Sequence, residues 1–289
     1  MGRIVYVNGQ YVDESDAKVS IFDRGFLFAD AVYEVTAVIN GRLLESEGHL
    51  TRLKRSCNEL QLKMPVSQDQ LLDIHRQLIE KNQLREGGIY MQLTRGRDKD
   101  RDFSFPPADT PATLVLFTQA KNLLDCPIAK KGIKVVSVPD LRWRRRDIKT
   151  VQLLCASLAK EYAHTQGADD AFLVEDGYVT EGSASNAFII QQDNTIVTRP
   201  LSNDILHGIT RKAIIQLIEQ DRSFKLEERL FTIEEAKAAK EAFVSAATAF
   251  IWPVVSIDGH VLGDGKPGPI ASRLRALYLD AAKKAVGLA

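Results

Sequence analysis

Residues 172–197 read FLVEDGYVTEGSASNAFIIQQDNTIV, and their punctuation decides the fold class. Asp176-Gly177 separates the β-prone run Phe172–Glu175 from Tyr178–Thr180, and Asp193-Asn194 separates Ala187–Gln191 from Thr195–Val197. Asp-Gly puts two residues that tolerate positive φ between two runs of strand formers, which is the strongest short-range hairpin signal. The same kind of pair stands at Asn8-Gly9, Asn40-Gly41 and Asp258-Gly259. Hairpins spread along the whole chain predict antiparallel or mixed sheets and do not fit the regular strand–helix alternation of a Rossmann fold.

Helices are expected between the hairpins. Leu50, Leu53, Cys57 and Leu60 make one apolar stripe across Ser46–Leu62. Ser67 with Gln70, and Thr232 with Glu235, have the spacing of a capping box. A helix over Gln152–Gln166 stops at Gly167, a short one covers Thr210–Glu219, and Pro269–Ala285 closes the chain. Residues 118–132, TQAKNLLDCPIAKKG, lie between two apolar strands and read as a connector. The expected fold class is therefore α+β, with mixed or antiparallel sheets and flanking helices. A small N-terminal domain spans 1–118, a connector 119–132, and a larger C-terminal domain 133–289.

The chain has 289 residues with 38 basic and 38 acidic side chains, a formal balance of zero. That balance argues against a nucleic-acid or anionic-membrane partner, which call for a basic excess. No run approaches the roughly 18 apolar residues of a membrane span, and Met1–Val12 reads as strand rather than as a secretory leader. Cys57, Cys126 and Cys155 are odd in number and far apart, as suits reduced thiols in a cytoplasmic protein. The histidines have no metal-ligand spacing, so no metal is expected, and there is no Walker loop, GxGxxG or GxSxG.

Chemistry is concentrated in a few short segments. Residues 140–150, DLRWRRRDIKT, end in Lys149, just before the apolar stretch 151–154. Desolvation there would lower the lysine's pKa towards a nucleophilic free amine, which forms Schiff bases with carbonyls. Residues 180–187, TEGSASNA, are small and polar with one carboxylate, Glu181. Residues 206–211, LHGITR, open a helix whose N-terminus at Gly208, Ile209 and Thr210 offers N–H groups to an anion, with Thr210 as an ordinary N-cap the plainer alternative. Residues 244–249, VSAATA, suit a second set of backbone donors. His49 and Arg52, three apart on one helix, are neighbours, and Arg52 can clamp a phosphate with two parallel hydrogen bonds.

Together these segments resemble the fold-type IV pyridoxal-5′-phosphate enzymes over nearly the whole chain. The resemblance is carried by Asp23-Arg24-Gly25 through Asp30, Val32-Tyr33-Glu34, His49 to Leu53, Asp147-Ile148-Lys149, Glu181 to Asn186, Gly208 to Arg211, and the 245–248 loop. Within that family, RGFLFADAVYEV (24–35), TRG (94–96) and DLRWRRRDIK (140–149) are most similar to the D-amino-acid transaminases. The resemblance implies pyridoxal 5′-phosphate held as a Lys149 aldimine and Glu181 paired with the pyridinium nitrogen. It further implies a phosphate held by Arg52, Gly208, Ile209, Thr210, Ala247 and Thr248. Ser185 and Asn186 would line the cofactor and Leu206 would pack on its ring, with Tyr33 and Tyr90 at the substrate end.

The activity so implied is ping-pong transamination between D-alanine or D-glutamate and 2-oxoglutarate or pyruvate. It would be carried out by a homodimer with its site between the two domains. Branched-chain L-amino-acid transaminase, R-selective amine transaminase and aminodeoxychorismate lyase share the fold type and are the alternatives. A non-catalytic binding relative is the remaining rival, and the presence of both Lys149 and Glu181 opposes it. The chain departs from the family where an Arg-x-His pair would bind the substrate carboxylate. In GRDKDRDFSFP (96–106), Arg101 falls on the arginine and Phe103 on the histidine. That leaves Arg97, Arg101 or an arginine of the 142–146 run for the carboxylate. Ala246 and Ala247 stand where hydroxyls are common, so phosphate binding there would lean on backbone N–H groups.

Overall fold

Four of the hairpin pairs turn with both residues at positive φ: Asn8 47° and Gly9 94°, Asn40 52° and Gly41 69°, Asp176 51° and Gly177 83°, Asp258 51° and Gly259 78°. This is the conformation whose twist matches that of the flanking strands. The computed structural model describes residues 2–221 and 223–288. Met1, where the expected N-terminal strand was to begin, Arg222 and Ala289 lie outside the described residues. The chain divides into two compact units.

The first unit runs to Asn122 and adds residues 148–152 and 285–288. It contains β1 (Ile4–Val7), β2 (Gln10–Asp13), α1 (Arg24–Phe28), β3 (Ala31–Ile39), β4 (Arg42–Leu43), α2 (Ser46–Glu59), α3 (Gln68–Lys81), β5 (Glu86–Thr94) and β6 (Thr113–Ala120). The sheet order is β2-β1-β6-β5-β3-β4, with every neighbouring pair antiparallel. The capping box forms with both of its hydrogen bonds. Gln70 N–H donates to Ser67 Oγ at 3.2 Å and Ser67 N–H to Gln70 Oε1 at 2.8 Å. The α2 helix stops at Glu59, three residues short of the expected end, and Gln61 turns the chain at φ 53°.

On α3, His75 is buried at 4% exposure with Nδ1 2.7 Å from Leu71 O. Burial pulls its imidazole down from 6.5 to about 4. As pH falls below 6.5 the unfolded chain takes up this proton first. The contribution to stability is therefore complete above that value and is lost on the way down to about 4, by at most about 3 kcal/mol. Urea unfolding followed from pH 7 to 4.5 should show a falling midpoint, and His75→Leu should flatten the fall. An equally steep fall in the variant would remove His75 as its source.

The second unit comprises residues 123–147 and 153–284. It contains α4 (Pro127–Lys131), β7 (Ile133–Pro139), α5 (Leu154–Thr165), β8 (Asp170–Glu175), β9 (Tyr178–Gly182), β10 (Asn186–Ile190), β11 (Thr195–Thr198), α6 (Ile209–Gln220), β12 (Lys225–Glu228), α7 (Ile233–Ala238), β13 (Glu241–Ala246), β14 (Phe250–Ile257), β15 (His260–Val261) and α8 (Pro269–Ala285). Its sheet runs β12-β11-β10-β13-β14-β7-β8-β9, with β15 on β14. The pairs β11/β12, β14/β7 and β7/β8 are parallel and the rest antiparallel. Phe188 and Phe243 face each other across β10 and β13 with ring centroids 4.5 Å apart, a packing geometry favourable beyond area burial alone.

Segment 148–152 groups with the first unit, not with the C-terminal half to which a boundary near residue 132 assigned it. The reason is hydrogen bonding: Tyr33 N–H donates to Lys149 O at 3.0 Å and Val151 N–H to Ala31 O at 3.2 Å, with Val32 and Thr150 bridged antiparallel. At the other end of the chain, buried Glu241 accepts the Ile270 and Ala271 N–H groups at 3.1 and 2.9 Å, capping α8 with a carboxylate. Gly268 makes room for that cap, since a Cβ there would lie 2.1 Å from the Glu241 carboxyl carbon.

Candidate active site

In the first unit the short ladder on β3 fixes the backbone of Lys149, and Lys149 N–H also donates to Ser56 Oγ at 3.4 Å. The side chain is half-buried, and its Nζ lies 4.1 Å from the centroid of the Tyr33 ring. Tyr33 stacks on Tyr90 (5.5 Å, 24°), which stacks on Phe117 (4.8 Å, 23°). Burial raises the Tyr90 phenol above its ordinary value, and its hydroxyl donates to Gln92 Oε1 at 2.8 Å. The lysine amine therefore faces an ordered aromatic wall.

The next residue on β3, Glu34, points to the opposite face because strand side chains alternate. There it accepts two hydrogen bonds from Arg52, Nε to Oε1 and Nη2 to Oε2, both at 2.8 Å, and lies 2.7 Å from His49 Nδ1. All three side chains are buried. Burial alone would raise the Glu34 carboxyl; the Arg52 charge and hydrogen bonds, with His49, overcome this and hold it at about 2. The helix stripe brings His49 and Arg52 together as expected, and the carboxylate that unites them was missed. Its signal was the alternation Tyr33-Glu34 on a strand opposite an arginine-bearing helix.

Arg97 and Arg101 are exposed. Arg97 bridges to Asp23 through the backbone, and the Arg101 guanidinium sits 5.2 Å from the Phe28 ring and 5.0 Å from that of Phe103. No hydrogen bond, ion pair or ring interaction among the described residues joins either of them to Tyr33 or Lys149.

In the second unit the small, polar segment 180–187 is mostly strand. Thr180, Glu181 and Gly182 end β9, Asn186 opens β10, and Gly182 N–H closes the turn on Ser185 O at 2.7 Å. Glu181 is buried. Its Oε1 accepts from Arg142 Nη1 at 2.6 Å, and its Oε2 from Asn186 Nδ2 at 3.0 Å and Leu206 N–H at 3.1 Å. Burial pushes the Glu181 carboxyl up and Arg142 opposes it, with a net rise.

The arginine run does not serve as an open patch for acidic substrates. Arg142 clamps Asp140 through Nε and Nη2 at 2.9 and 2.7 Å, Arg145 pairs with Asp147 at 3.0 Å, and Arg146 donates to Glu175 at 2.7 Å. Asp140 and Asp147 lie two residues from their arginines, whereas Glu175 arrives by sheet pairing of β7 and β8, and Arg144 alone of the four is exposed.

The helix α6 starts at Ile209 with Gly208 as N-cap (φ −65°, ψ 133°), so Thr210 lies inside the first turn and does not cap it. A Cβ at position 208 would lie 2.0 Å from Asn186 Oδ1, so any residue larger than glycine would have to displace that side chain. Asn186 Nδ2 also donates to Leu206 O at 2.9 Å, so the start of β10 and the entry to α6 are tied together. Ser245 on β13 is the register partner of Asn186. From there the chain turns through Ala247, Thr248 and Ala249 into Phe250, a buried aromatic held at φ 56°. Such a conformation costs a bulky residue about 1–3 kcal/mol and persists only where its surroundings impose it.

Three hydroxyls in this region, Ser185 Oγ, Thr210 Oγ1 and Ser245 Oγ, are buried with no partner among the described residues. Unsatisfied buried hydroxyls are costly. A ligand rich in acceptors, with a phosphate and a ring nitrogen that can pair with Glu181, fits this donor set. Pyridoxal 5′-phosphate has both groups.

A family model described as amino-transferase class IV matches residues 31–257. The D-alanine aminotransferase of Staphylococcus haemolyticus is 40% identical over 273 residues, spanning 94% of this chain and 95% of that protein. The D-alanine aminotransferase of Bacillus licheniformis is 36% identical over 272 residues, 94% of each. Among solved structures, a T.th. branched-chain amino acid aminotransferase with pyridoxamine 5′-phosphate matches with a TM-score of 0.88 at 24% identity, covering 98% of this chain and 94% of that one.

Proposed function

Because the chain belongs to the class IV aminotransferase family, we propose that it moves the amino group of D-amino acids, D-alanine and D-glutamate foremost, to 2-oxoglutarate or pyruvate. It is a pyridoxal-phosphate-dependent aminotransferase. The D-specific reading is supported by the identity to D-alanine aminotransferases across almost the full length. The observation that carries the catalytic reading is Lys149, pinned by its backbone to β3 with its amine over the Tyr33 ring.

When bound, pyridoxal 5′-phosphate supplies a carbonyl for amine exchange and a cationic ring that draws electrons from the substrate Cα. Lys149 Nζ would hold the cofactor and, once displaced by substrate, take the proton from Cα. Glu181 would keep a proton on the ring nitrogen by setting a carboxylate charge beside it. Arg142, Asn186 and the Leu206 N–H orient that carboxylate. Leu206 would pack on the ring, with Ser185 and Asn186 beside it. Arg52, already aligned by Glu34, would hold the phosphate together with Gly208, Ile209, Thr210, Ala247 and Thr248. Tyr33 and Tyr90 would wall the substrate, and Arg97 or Arg101 would take its carboxylate.

The proposal includes a homodimer in the cytoplasm. Large apolar side chains left exposed, among them Phe26, Phe103 and Leu154, support contact with a second copy. Among the described residues, no helix is long and apolar enough to cross a membrane.

The test is a set of single half-reactions of the purified enzyme with D-alanine, L-leucine and R-phenylethylamine, read by bleaching of the bound cofactor. Bleaching by D-alanine is expected. Bleaching by L-leucine alone would move the assignment to the branched-chain enzymes.

A further inference from the structure

We propose that Arg275, on α8, is a positioning residue for the cofactor's phosphate: it locks the 247–249 turn so that the turn's backbone N–H groups are presented to the anion. This rests on the reading that the turn holds the phosphate.

Arg275 is buried, and Nη1 donates to both Ala249 O and Ile251 O at 2.9 Å, while Nη2 donates to Leu123 O at 2.8 Å. The first two carbonyls flank Phe250, the residue held in the left-handed region. Returning Phe250 to an ordinary conformation would rotate the peptide planes on either side of it. Nη1 holds the plane before Phe250 directly through Ala249 O, and its second bond to Ile251 O anchors the chain just beyond the plane after Phe250. One helical turn further along α8, Tyr278 packs on the Phe250 ring at a centroid distance of 5.1 Å, so a single helix face grips this residue by backbone and side chain.

The held turn has a defined donor set. Ala249 N–H donates to Ala246 O at 3.1 Å, whereas the Ala247 and Thr248 N–H groups have no partner among the described residues. With alanine at 246, 247 and 249, Thr248 brings the turn's single hydroxyl, and anion recognition falls to the backbone. Arg275 pairs with no carboxylate among the described residues. Its charge, balanced only by carbonyl dipoles, adds a fixed positive potential behind the turn. Strain imposed at a ligand clamp is a recurrent device for pre-organisation.

The experiment compares apo-enzyme affinities for pyridoxal 5′-phosphate and for pyridoxal, which lacks the phosphate, by direct titration. The wild type should strongly prefer the phosphorylated form. Arg275→Met should reduce the ratio of the two affinities by about tenfold or more, the worth of one charge-assisted hydrogen bond. Pyridoxal affinity should stay within about threefold of wild type, since no group facing the ring is touched. Arg275→Lys, which keeps the charge and loses the fork, should reduce the ratio less and covers the case in which the methionine variant does not fold. A folded variant with the wild-type ratio, or an equal loss for both compounds, overturns the role of Arg275. A wild type that does not distinguish the two compounds would instead overturn the underlying assignment of the phosphate site, and the proposal with it.

Discussion

Lys149→Ala is expected to lower transamination by at least about 10³-fold while leaving the protein folded. The residue combines a backbone held on β3 by hydrogen bonds that any side chain preserves with an amine set against the face of Tyr33 at 4.1 Å. Losing that cation–π contact costs about 0.5–1 kcal/mol, too little to unfold a domain. On the proposed mechanism, chemistry would lose both the covalent attachment and the base that moves the Cα proton. Lys149→Arg should be nearly as inactive, because a guanidinium has no free amine to offer near neutral pH. Partial recovery of Lys149→Ala by added methylamine would separate a missing base from a distorted site. Turnover within tenfold of wild type, measured with D-alanine and 2-oxoglutarate, would remove Lys149 from the mechanism.

Glu181→Gln should lower turnover by about 10²–10³-fold, the usual effect of deleting an electrostatic partner from a buried site. It should also lower stability, by about 1–3 kcal/mol. Glu181 accepts on both oxygens, from Arg142 on one and from Asn186 and the Leu206 N–H on the other. A glutamine has one acceptor oxygen and one amide nitrogen, so whichever way it sits, a donor meets a donor. Arg142 keeps its clamp on Asp140, which limits the damage. Turnover and the thermal midpoint, measured on one preparation, test both halves. A variant with wild-type turnover would show that no charge at position 181 is needed.

How much of this was legible in the sequence depends on how local the determinant is. The Asn-Gly and Asp-Gly hairpins and the Ser67–Gln70 box are decided by neighbouring residues, and each formed as read. The start of α6 was left open between Gly208 and Thr210, and the structure takes Gly208, beside the Asn186 side chain that arrives through tertiary structure. The arginines at 142, 145 and 146 stood as candidates for the substrate carboxylate. Sheet pairing brings Glu181 to Arg142 and Glu175 to Arg146, and such pairing carries no local mark, while Arg145 pairs with Asp147 beside it. Arg275 was not singled out for the same reason, since its acceptors are carbonyls on β14, in the preceding turn and at Leu123. Lys149, Glu181 and Arg52 were proposed through resemblance. Their physical partners, Tyr33, Arg142 and Glu34, became visible only when the strands were laid side by side.

The ladder joining residues 149–151 to the edge of β3 also bears on how the protein comes into being. The strand that carries Tyr33 and Glu34 leaves the ribosome long before the segment that finishes its edge. Until then the Ala31 carbonyl and the Tyr33 N–H face outward as an unpaired template for any passing strand. Residues 149–151 therefore act as a terminal stave as well as the seat of the proposed catalytic amine. Chains that stop short of them would emerge with that edge bare, inactive and prone to aggregate.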